Sequence, residues 1–193
     1  MGFFKRKDIS SYSDEQLMQE IERGHSAAFD LLYERYSEKL YRYLFRLLNN
    51  DRERAEDFLQ EVFLKVLNSA DSFDATKSVS TWLYTIATNL CRNEWRNTSN
   101  RQRLMKTFEP WEHHSSKTVN EKIDEKYRNK LLDAVMNELE NEDREILQLR
   151  FQQEFSIREI AAIAGLPEGT VKSRIFYLLK KLAKQLKSNS IEL

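Results

Sequence analysis

The stretch FDATKSVSTWLYTIATNLCRNEW, residues 73–95, sets how the rest of the chain is read. From Leu83 its apolar residues fall at Leu83, Ile86, Ala87, Leu90 and Cys91, the i, i+3, i+4 spacing of a helix that buries one stripe. The opposite face, Thr81, Thr85, Thr88, Asn89, Arg92 and Arg96, is polar to cationic and has no carboxylate. Phe73, Trp82, Tyr84 and Trp95 add aromatic rings along the same stretch. Cations beside rings suit a single nucleic-acid strand, because rings stack on unpaired bases while guanidinium groups neutralise phosphate. Rings in a core and cations in solvent give the same pattern, so the decision passes to the neighbouring segments.

Those segments are helical by composition. With 4 Gly and 2 Pro in 193 residues there is little material for the tight turns of a β protein, and helix formers dominate, so an all-α fold is expected. The 31 cations balance the 31 anions, and any affinity for nucleic acid must come from segregated charge. Asp51, Glu53, Glu56, Asp57 and Glu61 crowd one segment; Lys172, Arg174, Lys180, Lys181, Lys184 and Lys187 crowd another that has no acid. A single cysteine, Cys91 on an apolar stripe, fits a buried thiol in a reducing compartment. No segment approaches the length of a bilayer span, so a soluble cytoplasmic protein without direct membrane insertion is expected.

Ser13 and Gln16 form a capping box before Leu17, Met18 and Ile21, and Gly24 stops that helix. Ser26 is expected to cap a second helix with Phe29, Leu32, Tyr33, Tyr36, Leu40, Tyr43, Leu44, Leu47 and Leu48 in one stripe, ended by Asn49, Asn50 and Asp51. A third helix buries Ala55, Phe58, Leu59, Val62, Phe63, Val66 and Leu67 and turns Glu53, Glu56, Asp57, Gln60 and Glu61 outward. These helices and the one after Ser80 make a compact first domain, residues 12–98.

Residues 99–124 read as a linker, since Pro110, Ser115, Ser116 and Thr118 interrupt any stripe. His113 and His114 there lack a third ligand at a recognisable spacing, so no metal is expected. A second domain, residues 125–188, begins with the periodic Leu131, Leu132, Val135, Met136 and Leu139, and Asn141 is expected to cap a helix with Ile146, Leu147, Leu149 and Phe151. Ser156 and Glu159 then cap a short helix lined by Ile157, Ile160 and Ile163, which Gly165 ends before Leu166 and Pro167. The last helix turns Val171, Ile175, Leu178, Leu179, Leu182 and Leu186 inward. Short helix, Gly turn and basic second helix form the layout of a helix-turn-helix. Thr170, Lys172, Ser173 and Arg174 at its start are of the types that reach phosphates and guanine edges. No phosphate-cradling Gly loop, H-E-x-x-H pair or nucleophile with its base is present, so no catalytic residue, cofactor or small-molecule substrate is expected. The layout alone also admits a stand-alone helix-turn-helix regulator with an N-terminal sensing or dimerisation domain.

Four segments together resemble the bacterial RNA polymerase sigma factors of the extracytoplasmic-function group: AAFDLLYERYSEKLYRYL from Ala27, AEDFLQEVFLKVL from Ala55, SFDATKSVSTWLYTIATNLCRN from Ser72, and SIREIAAIAGLPEGTVKSRIFYLLKKL from Ser156. The resemblance implies a promoter-recognition subunit that binds core RNA polymerase. Asp57, Gln60 and Glu61 would dock on the beta-prime clamp helices, and the second domain would meet the beta flap. Phe73, Ser80, Trp82, Tyr84, Thr85, Asn89, Arg92, Asn93 and Arg96 would take the opened minus-ten strand. Thr170, Lys172, Ser173, Arg174 and Tyr177 would read the minus-thirty-five duplex. An anti-sigma factor is a further implied partner besides promoter DNA. The chain departs from the family pattern at Thr85 and Tyr177, where many relatives carry Arg, and at Asn93, where many carry Asp.

Overall fold

The computed structural model describes residues 9–74, 77–105 and 139–189, and these contain seven α-helices with no strand among them. They are α1 (Asp14–Glu22), α2 (Ser26–Leu47), α3 (Arg52–Asn68), α4 (Val79–Met105), α5 (Asn141–Phe151), α6 (Ile157–Ala164) and α7 (Glu168–Asn189), with a 3-10 turn at Ala70–Ser72. The all-α expectation is borne out. The described residues fall into two compact units divided between Leu90 and Cys91, with Ala162–Gly165 belonging to the first.

Local chemistry sets most helix ends. Ser13 accepts from the Gln16 amide while the Gln16 side chain accepts from the Ser13 amide, completing the capping box of α1. Gly24 (φ +82°) and Gly165 (φ +65°) end helices in the left-handed region that favours glycine. Asn49 and Asn50 take the same region after α2, which asparagine tolerates better than most residues, and Asp51 caps α3 through the Arg54 amide. Two expected caps are displaced. His25 precedes α2 and Glu140 precedes α5, neither with a capping side chain, so Ser26 and Asn141 are first helical residues instead. Helix α4 runs past residue 98 to Met105, since no Gly or Pro interrupts it before Pro110. The remaining linker positions 106–124, with His113 and His114, and the helix expected over Leu131, Leu132, Val135 and Met136 lie outside the described residues.

In the first unit α1 and α3 pack on α2, burying Leu17, Met18, Leu32, Leu40, Leu44 and Leu47 against Ala55, Val62 and Val66. Phe29 and Tyr33 of α2 meet the Phe63 ring, with centroids 5.9 and 4.7 Å away. In the second unit Leu139, Leu147 and Leu178 form a buried cluster to which Leu182 is added, joining α5 to α7. Leu67, Leu179 and Phe151, expected inside, are instead exposed. Leu67 and Leu179 each lie about 80–100° around the helix from the centre of its stripe, where a side chain leaves the core; Phe151 is the last residue of its helix.

Candidate functional site

The acidic face rests on α3. Because Ala55, Leu59, Val62 and Val66 are buried, the residues between them project outward, and Asp57, Gln60 and Glu61 are all exposed at i, i+3 and i+4. Glu61 has the Lys65 ammonium 3.8 Å away on the same helix, a solvent-screened pair of little energetic consequence. Leu64, 57% exposed, continues this face by one turn.

The second group lies on α4 and the turn before it. Ser78 starts the helix, its hydroxyl accepting from Thr81 (3.3 Å) and its carbonyl from Trp82 (3.1 Å). Phe73 and Trp82 are half-buried with ring centroids 5.0 Å apart, and Ser80, two residues before Trp82, is half-buried too. Asn89, Asn93 and Arg96 are exposed further along, with the Arg96 guanidinium donating to the Asn93 side chain. The half-buried Thr85 spends its hydroxyl on the Thr81 carbonyl at 2.7 Å, within the helix.

Two residues read as outward point inward. Tyr84 is only 2% exposed, and its ring lies edge-on to Tyr43 at 5.1 Å, so it is a core ring and not a surface for a base. Burial pushes its phenol above the usual range. Thr88, fully buried, hydrogen-bonds the Tyr43 hydroxyl at 2.8 Å. With Leu83 and Ala87 these residues make the inner stripe wider than the apolar residues alone indicate.

Arg92 is placed where sequence reasoning had no means to look. Its Nε and one Nη donate to the two carboxylate oxygens of Glu145 on α5, both at 2.9 Å, within the second unit. The Glu145 side chain is fully buried while Arg92 keeps 27% exposure. Burial pushes the Glu145 carboxyl up to about 7, against the opposing pull of Arg92. The neighbouring Cys91 thiol is pushed up too, first by burial and then by the Glu145 charge. Glu145 was missed because its neighbours Ile146, Leu147 and Leu149 dominate the pattern, while Arg144, Glu145 and Gln148 are buried beside them.

The third group begins α7. The Pro167 carbonyl accepts from the Thr170 and Val171 amides at 2.9 and 3.1 Å, and Ser173 donates to the Thr170 carbonyl at 3.1 Å. Val171 is buried, which leaves Lys172 and Ser173 exposed and Thr170 half-buried. Arg174 has Glu142 at 3.8 Å and Asp143 at 3.9 Å. Tyr177, 67% exposed, has the exposed Phe176 ring 5.4 Å away. Among the described residues no three His, Cys, Asp or Glu side chains gather as metal ligands, and no helix is long and apolar enough to cross a membrane.

Two family models match this chain: Sigma-70 region 2 over residues 32–101 and Sigma-70, region 4 over residues 129–182. An ECF RNA polymerase sigma factor of Bacillus subtilis, SigX, is 33% identical over 163 residues, covering 82% of this chain and 83% of its own. The chain belongs to the extracytoplasmic-function sigma factors. It is an alternative sigma factor, a subunit that directs RNA polymerase to promoters and starts transcription there. SigW of the same bacterium is 31% identical over 188 residues, covering 88% of this sigma factor and 95% of SigW. Two solved structures share its fold. CnrH in complex with the cytosolic domain of CnrY matches with TM-score 0.68 at 22% identity, covering 91% of this chain and 97% of that one. RpoE in complex with the anti-sigma factor NepR from Bartonella quintana matches with TM-score 0.67 at 23% identity, covering 82% and 96%.

Proposed function

We propose that this sigma factor grips core RNA polymerase through Asp57, Gln60 and Glu61, takes the opened minus-ten strand on Phe73, Trp82 and the outer face of α4, and reads the minus-thirty-five duplex with the start of α7. Residues 12–98 then form the gripping and melting domain, residues 99–124 the linker and residues 125–188 the duplex-reading domain. The observation that carries the reading is the exposure of all three α3 residues on one face, set above a buried stripe that keeps α3 in place. Carboxylates there need a cationic partner, for which the beta-prime clamp helices are our assignment, with the beta flap for the second domain. Ser80, Asn89, Asn93 and Arg96 serve as polar contacts to the single strand. Arg92 joins them only when released from Glu145, and Tyr84 supports them from the core. Lys172 and Arg174 contact the duplex together with Thr170, Ser173 and Tyr177.

The protein performs no bond chemistry, needs no cofactor and acts in the cytoplasm. Its solved neighbours were captured with CnrY and with an anti-sigma factor, and an inhibitory partner of that kind is part of this reading. Zero net charge suits a subunit that binds DNA well only once polymerase tethering raises the local concentration of its two DNA-reading modules.

The test is core binding by Glu61→Lys. Reversing a rim charge against a cationic surface is expected to cost about 2 kcal/mol of core affinity without lowering the unfolding midpoint. Unchanged affinity would remove the docking assignment. A gel shift beside it, with protein alone and then with core, is expected to give a specific complex only when core is present. A tight symmetric complex with the protein alone would favour a stand-alone helix-turn-helix regulator.

A further inference from the structure

We propose that Glu15, Asp14 and Tyr36 are positioning residues for strand capture: they fix the first turn of α4, and with it the Phe73–Trp82 pair, in the shape that receives an unpaired base. This rests on the minus-ten reading above and adds to it residues from α1 and α2 that touch no DNA.

The first amides of a helix have no partner within it. Ser78 serves the Thr81 amide of α4. The amide of Val79, a fully buried residue, instead donates to Glu15 Oε1 of α1 at 3.4 Å, across 64 residues of sequence. A carboxylate at this end of α4 also meets the positive end of the helix dipole. Glu15 is held at this place by its neighbour Asp14, which is tied to the Tyr36 hydroxyl of α2. That hydroxyl donates to Asp14 Oδ2. Asp14 Oδ1 accepts from Arg35 Nη1 at 2.6 Å, and Arg35 Nη2 donates to the Ser10 carbonyl at 3.0 Å. Burial foremost, then the Asp14 bond and charge, hold the Tyr36 phenol above its ordinary range, so it stays a neutral donor.

Seven residues along α2, the Tyr43 hydroxyl shares a hydrogen bond with the Thr88 hydroxyl of α4 at 2.8 Å. Glu15 with the Val79 amide and Tyr43 with Thr88 are therefore two fixings about two and a half turns apart, which set the rotation of α4 about its axis. The first of them lies one helical turn before Trp82 in the sequence. Trp82 is three residues beyond Val79, and its indole has the Phe73 ring 5.0 Å away. Capturing a base must offset an unstacking cost of about a few kcal/mol, and rings already held in place lose less freedom on binding. Glu15, Asp14 and Tyr36 supply that preorganisation.

The test uses core polymerase loaded with full-length protein and a fork-junction probe whose minus-ten non-template strand is already unpaired. Tyr36→Phe and Glu15→Ala are expected to weaken probe binding about three- to tenfold, the range of one lost intramolecular hydrogen bond. Glu15→Gln, which keeps an oxygen acceptor, is expected to restore at least half of that loss. Core affinity and unfolding midpoint are expected to stay within about twofold and a few degrees of wild type, which a merely structural role would not allow. Trp82→Ala in the same assay separates the two levels. If Trp82→Ala weakens the probe while Tyr36→Phe and Glu15→Ala bind as wild type, the positioning role is overturned and the minus-ten reading survives. If Trp82→Ala also binds as wild type, the minus-ten reading fails and the positioning role fails with it.

Discussion

Two arginines, both assigned to DNA on their sequence, sit in contrasting surroundings. Arg92 on α4 is held by both oxygens of a fully buried carboxylate at 2.9 Å. Arg174 on α7 has two carboxylates only at 3.8 and 3.9 Å, one of them 59% exposed. Burial, more than the count of partners, decides what each can do. Releasing Arg92 leaves a charge stranded in the interior, whereas Arg174 can exchange its carboxylates for a phosphate or a guanine edge at little cost.

Arg92→Ala is expected to have the largest effect. Leaving Glu145 buried and unpaired is expected to destabilise the protein by about 3 kcal/mol at pH 8, measured by denaturant unfolding. The loss is expected to shrink at pH 6, where Glu145 can fold protonated. A stability within experimental error of wild type at pH 8 would mean that the pair holds nothing in place.

Next in size is the pH dependence of the wild type. Glu145 titrates at about 7 in the folded chain against an ordinary value of 4.5. The folded state therefore binds the proton more readily than the unfolded state. Its contribution to stability is fully present below about pH 4.5 and is lost as pH rises through 7, a swing on the order of 2 kcal/mol. Asp143, also raised chiefly by burial, adds in the same direction. Glu145→Gln removes the larger titration, and unfolding midpoints of wild type and variant between pH 5 and 8 are expected to converge toward the acid end. Parallel curves would contradict the assignment.

Smallest is Arg174→Ala. A loosely paired, partly exposed side chain is expected to alter stability by less than about 0.5 kcal/mol. Duplex recognition by the polymerase-bound protein should weaken by about 1 kcal/mol or more, selectively at one position if Arg174 reads a base and evenly if it touches only phosphate. A large stability loss would make Arg174 a second Arg92.

What the sequence makes legible depends on how local each feature is. Capping boxes at Ser13 and Ser156, glycine stops at Gly24 and Gly165, and the stripes of α2 and α3 are local patterns, and local patterns carry to the structure. The exposed α3 trio follows for the same reason, since burying one stripe turns its reverse outward. Tyr84 and Thr88 were misread because a helix face is wider than its apolar residues, and a hydroxyl facing another hydroxyl lies inside without penalty. Glu145 was out of reach altogether. A carboxylate 53 residues from its arginine has no spacing to betray it, and only the folded chain brings the two together.

The account stands or falls on whether this chain makes core polymerase start RNA. Run-off transcription from a promoter library, with purified core alone and with core plus this protein, measures that directly. We expect new starts that need the protein and share an upstream and a downstream element. No start at any sequence, with the protein alone occupying a palindrome, would contradict the account.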